Sequence, residues 1–193
     1  MNKEKLSSFF DKACAVSLYF LLFFLSISSA STELFFAFSL LFFSGRLFTS
    51  RGLFIQLLKR EKIVLFFFVA LALSLINSRA FIPISLHALF LKWGKYIILY
   101  LITTQTLMTP SRIKYALASI SFGAVLVILD SFSQLFLNLE FLWHRHMMLH
   151  TNNILALTGP FKHNNGLAAY LICALIIILY WVFSDGADRK SVV

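Results

Sequence analysis

The stretch 115-YALASISFGAVLVILDSFSQLF-136 carries one ionisable carboxylate, Asp130, and no lysine, arginine or glutamate. A run of roughly 20 predominantly apolar residues matches the hydrocarbon core of a bilayer when helical. Backbone groups surrounded by lipid must find their hydrogen bonds inside a helix or a closed barrel. Period-two alternation is weak throughout the chain, which argues against a barrel. The expected fold is therefore all-α, a polytopic transmembrane helical bundle.

Composition points the same way. The 193 residues are 60% hydrophobic and 13% charged, with 23 Phe, whereas a soluble domain is about a quarter charged. The formal charge of +9 comes from 17 Lys and Arg spread over short connections, with no basic patch interleaved with aromatics. The expected partner is the lipid bilayer, and no nucleic acid is expected. Cys14 and Cys173 lie far apart in apolar runs without CxxC spacing, so neither a disulfide nor a metal is indicated.

Outward from the opening stretch, five further apolar segments give spans at about 13–29, 33–48, 63–75, 96–108 and 166–183, for six with 115–136. The polar turn 28-SSAST-32 joins the first two as a hairpin. Lys3, Lys5 and Lys12 before 13-ACAVSLYFLLFFLSISSA-30 imitate a secretory signal, but the rest of the chain is itself polytopic, so an uncleaved first span is simpler. The segment 76-INSRAFIPISLHALFLKWGK-95, with Pro83 as a helix starter, reads as interfacial. No fixed-period repeat or Pro/Ser-rich linker divides residues 1–187.

A cytoplasmic N-terminus places Lys3, Lys5, Lys12, Arg46, Arg51, Lys59, Arg60, Lys62, Arg112 and Lys114 on the inner side. Arg79, Lys92, Lys95, Arg145 and Lys162 fall on the other. The positive-inside rule favours this orientation. It puts 138-NLEFLWHRHMMLHTNNILALTGPFKHNN-165 on the outer face, which in a bacterium would be the periplasmic side.

Three polar features stand out. Asp130 and Gln134 are one helical turn apart and share a face, as a packing hydrogen bond or as the lining of a polar cavity. His146 and His150 have i,i+4 spacing, but no carboxylate follows at a useful offset. The segment with His144, Arg145 and Trp143 therefore reads as a wet interfacial stretch rather than a metal site. Lys162 and His163 precede the last span, where helix N–H groups and the dipole favour phosphate; Gly159 and Pro160 set the turn, and Asn164 or Asn165 can cap the helix. A simple cap with snorkelling charge is the alternative. GxSxG and GxxxxGK[ST] are absent.

Asp130, Gln134, 140-EFLWHRH-146 and 158-TGPFKHNNGLAAYLI-172, in that order, resemble the signatures of the O-antigen ligase family of bacterial membrane proteins. The resemblance implies a glycosyltransferase-type ligase that takes a glycan from undecaprenyl diphosphate and transfers it to lipid A core or another acceptor glycan. The donor brings its own activated linkage, so no cofactor is implied. Lys162, His163, Asn165 and Arg145 match the need for diphosphate contacts, with Asp130 and Gln134 lining a cavity. The pattern departs at Ala156, where the family has Arg, and at Asn164-Asn165, where relatives have Pro-Asn.

The family is longer, with its base chemistry on a later periplasmic loop, so the catalytic residues are unknown here. The ending 188-DRKSVV-193 matches the translation of a common sequencing adapter, so residues 1–187 are expected to be the N-terminal half of a longer, interrupted protein, inactive by itself, and 188–193 a non-native tail; a native basic cytoplasmic end is the alternative. A Wzy-type polysaccharide polymerase, which shares the donor, and a non-enzymatic scaffold or small transporter are the alternatives. The orientation has a direct check: a topology reporter fused after Phe136 is expected to read periplasmic, and a cytoplasmic reading overturns the assignment.

Overall fold

The computed structural model describes residues 3–50, 61–74, 86–87, 89, 93–137, 139, 141–142, 148–149, 155–156, 161 and 164–190. Among the described residues the long helices are α1 (Lys3–Phe24), α2 (Ser29–Thr49), α3 (Lys62–Ser74), α4 (Gly94–Thr106), α5 (Pro110–Leu137) and α6 (Asn164–Lys190). Two strands of two residues each, β1 (Met148–Leu149) and β2 (Leu155–Ala156), pair antiparallel between α5 and α6. The architecture is all-α.

Helix starts follow from local chemistry. The α1–α2 turn is tighter than the polar stretch 28–32 suggests, because Ser28 acts as an N-cap. Its Oγ accepts the Ser31 N–H at 3.2 Å and its carbonyl accepts the Thr32 N–H at 2.9 Å, so residues 29–32 are already helical. Thr109 does the same for α5, accepting the Arg112 N–H at 3.4 Å, and Pro110 occupies the first helical position, where its missing N–H costs nothing. The helix thus starts five residues before the apolar run at Tyr115.

The chain divides into two compact units, residues 1–17 with 36–108 and residues 18–35 with 109–193. In the first unit, Asp11 pairs with Arg46 at 2.7 Å and Ser7 lies 3.2 Å from Ser50, so the start of α1 runs antiparallel to the end of α2. Lys95 sits 5.3 Å over the Phe36 ring and Arg46 donates to the Gln105 carbonyl at 3.2 Å, so α4 runs parallel to α2. Tyr100 donates to Glu61 at 3.1 Å and Phe67 meets Trp93 edge-on, so α3 runs antiparallel to α4. Arg46 also satisfies one of the carbonyls that the last turn of α4 leaves open.

In the second unit, Tyr19 meets Tyr115 and Phe23 stacks on Phe122, so the end of α1 runs parallel to α5. Gly123 makes this approach possible. A Cβ there would fall 2.7 Å from the Phe23 carbonyl oxygen and 3.6 Å from the Tyr170 hydroxyl, the kind of close helix contact that small residues permit in membranes.

Polarity is distributed inside out. Ser39, Thr106, Asp130 and Gln134 are completely buried, while Phe66, Phe122 and Phe136 are 62–77% exposed. On α5 the buried positions Ala116, Gly123, Val127, Asp130 and Gln134 recur at helical spacing and, Val127 apart, are small or polar, whereas Val125, Leu129, Phe132 and Leu135 face outward. Water would penalise so much exposed apolar surface, and lipid would not. α1, α2 and α5 are long and apolar enough to cross a membrane, and the protein is membrane-embedded. α3 and α4, at 13 residues each, measure about 20 Å.

A glycine series tests the packing. Gly123→Ala must move a backbone carbonyl and is expected to cost about 1–3 kcal/mol, read as a lower Tm in detergent. Gly166→Ala, whose new methyl meets Phe161 at an ordinary 3.5 Å, is expected to leave Tm unchanged or raise it. Equal effects at the two positions contradict the close α1–α5 contact.

Candidate functional site

The candidate site lies in the second unit and is built on α5. The 3-4 spacing of the buried stripe brings Asp130 and Gln134 onto one face, and neither side chain is exposed. Asp130 Oδ1 accepts the Leu142 N–H at 3.0 Å. One turn on, Ser133 Oγ donates to the Leu139 carbonyl at 2.6 Å, and Ser131 Oγ bonds back to the Val127 carbonyl. Asp130 Oδ2 is buried and has no hydrogen-bond partner among the described residues. A carboxyl group at membrane depth is costly, by roughly 2.5–3.5 kcal/mol on insertion scales when ionised, and half of its acceptor capacity is unmet here.

The other side of the site is the start of α6. This helix begins at Asn164, so both asparagines lie in its first turn rather than ahead of it, and Asn165 is exposed. Phe161 folds back against the helix: its ring lies 5.5 Å from Tyr170, and it lines the space beside Gly166. Tyr170 approaches Ser26, yet among the described residues neither hydroxyl oxygen has a hydrogen bond of good geometry, and both are buried. End of α1, middle of α5 and start of α6 thus converge on Gly123, Ser26 and Tyr170.

Of the residues singled out from sequence, the structure brings Asp130 and Gln134 together in the interior and sets Asn165 at the surface of α6. Arg145, Lys162 and His163 lie outside the described residues, as do His144, His146 and His150. Sequence reasoning missed Ser133, whose spacing of three from Asp130 was the available signal. It also missed the Leu142 N–H, which no side-chain pattern announces, and the pairing of Phe161 with Tyr170, both inside the quoted signature.

The first unit holds a separate polar feature. An open cleft of about 460 Å³ between the start of α1 and the end of α2 is lined by Lys3, Ser7, Asp11, Arg46, Thr49 and Ser50, among others. Its central charges, Asp11 and Arg46, neutralise each other, and none of the residues expected from sequence lines it.

No protein-family model, curated protein or solved structure matches this chain. The resemblance to the O-antigen ligase family rests on the sequence, chiefly on Asp130, Gln134 and the two quoted signatures.

Tyr170 offers a direct check on the site's interior. Because its hydroxyl lacks a well-formed bond, Tyr170→Phe is expected to shift stability by less than about 1 kcal/mol, measured by thermal unfolding. A clear loss would reveal a partner for that hydroxyl.

Proposed function

We propose that this protein handles a lipid-linked glycan in the bacterial inner membrane, as part of a glycan ligase of the O-antigen ligase type. In this reading it is a six-span protein with a cytoplasmic N-terminus. The observation that carries it is the signature 158-TGPFKHNNGLAAYLI-172 at the entry to α6. Lys162 and His163 immediately precede a helix that begins at Asn164. The first N–H groups of a helix have no intrahelical acceptor, and with the dipole they favour an anion. A diphosphate carrying its charge on several oxygens meets that arrangement well, and a lysine beside it adds a compact cation.

The chemistry of the proposed reaction is substitution at the anomeric carbon of the donor sugar. The acceptor hydroxyl oxygen forms the new glycosidic bond, its proton passes to a base, and the bond to the undecaprenyl diphosphate oxygen breaks with its electron pair on the diphosphate. Charge therefore accumulates on the leaving group, and cations held near it lower the barrier. Lys162 and His163, with Arg145, are the residues assigned to that task. Asn165, exposed in the first turn of α6, offers an amide to the same ligand. No residue of this chain is assigned as the base.

The alternating directions of α1, α2, α3 and α4 support the six-span topology.

Binding decides the reading. Purified protein in nanodiscs is expected to bind undecaprenyl diphosphate in preference to undecaprenol. The Lys162→Ala/His163→Ala double variant is expected to weaken that binding about tenfold, or roughly 1.4 kcal/mol. Equal affinity for the two lipids, or no change in the double variant, rules the reading out. A lipid-linked glycan lengthened on its carrier, rather than moved to lipid A core, would point to a polymerase.

A further inference from the structure

Two hydrogen bonds after α5 describe a path. Leu139 is held to Ser133 and Leu142 to Asp130, so as the chain advances by three residues its partner on α5 recedes by three. Among the described residues beyond Leu137, the chain stays beside the helix. It folds back along α5, and by Leu142 it is level with a residue seven positions before the helix end, about 10 Å down the axis.

Non-helical backbone at such depth is tolerated in membrane proteins only where protein buries it or where it lines a wet cavity. Every N–H in it needs an acceptor. Leu142 finds one in a carboxylate that is itself wholly buried and has no other partner among the described residues.

We propose that Asp130 is a positioning residue: through the Leu142 N–H it holds Leu142 folded back along α5, and so helps to present the diphosphate contacts that follow it in the sequence. The second half of this statement rests on the function proposed above; the first does not. The bond uses only an acceptor oxygen. Asparagine, which keeps a side-chain carbonyl in the same place, can replace it, and alanine cannot. This sets the role apart from that of a proton carrier or a charge partner, which asparagine would abolish.

Hydrogen exchange in nanodiscs tests the fold-back, and undecaprenyl diphosphate binding tests its consequence. Asp130→Ala is expected to speed exchange of the Leu142 amide about tenfold and to weaken binding by a similar factor. Asp130→Asn is expected to stay close to wild type in both. Should Asp130→Ala fail to fold, Leu142→Pro removes the donor while leaving Asp130 in place, and it is expected to weaken binding likewise.

Unchanged exchange in Asp130→Ala overturns the fold-back. Faster exchange with unchanged affinity overturns the positioning role, as does normal binding by Leu142→Pro. An Asp130→Asn variant as defective as Asp130→Ala overturns the claim that only an acceptor is required. A wild type that does not bind undecaprenyl diphosphate defeats the functional reading and with it the link to that site, while the exchange data still decide the fold-back.

Discussion

Lipid offers no hydrogen bonds, and every polar group of this chain that lies among its apolar helices has to be satisfied by the chain itself. The arrangement of the second unit follows from that demand. α5 turns Gly123, Asp130 and Gln134 inward together with Val127, and Val125, Leu129, Phe132 and Leu135 outward. Gly123 lets the Phe23 carbonyl come close. Asp130 and Ser133 take up the Leu142 N–H and the Leu139 carbonyl, which lie beyond the end of the helix. The same demand operates in the first unit, where Arg46 answers both Asp11 and an open carbonyl of α4, and Cys14 reaches the Ser39 carbonyl and the Thr106 hydroxyl at 3.6 and 3.5 Å.

These contacts differ in consequence. The Arg46 and Cys14 contacts join helices that local pattern already defines, so they tune packing. Asp130 joins a helix to an irregular segment, where the path of the chain itself is at stake. One buried carboxylate therefore links the fold of α5 to the connection from which the functional reading is drawn. That connection also reaches α6 through Phe161, whose ring packs against Tyr170 on the first turns of the helix.

The helices were legible because their signals are local. Each of the six long helices among the described residues contains one of the apolar runs, and Arg46 lies in the last turn of α2. Their limits were less so: α1 begins at Lys3 and α5 at Pro110, because helix extends past the apolar stretch wherever a cap and ordinary propensity allow it. The 28–32 turn was misjudged for the same kind of reason, since serine and threonine suit both a turn and a capped first turn.

What the sequence determined by itself is the solvent and the class of fold: segments this apolar belong to lipid, in lipid they are helical, and Asp130 and Gln134 share one face of one of them. Tertiary structure alone decided what that face meets. Asp130 accepts a backbone N–H twelve residues ahead, a partner with no residue type, so no pattern of side chains encodes it. The approach of α5 to the Phe23 carbonyl is equally invisible in one dimension, because it depends on where another helix places its backbone.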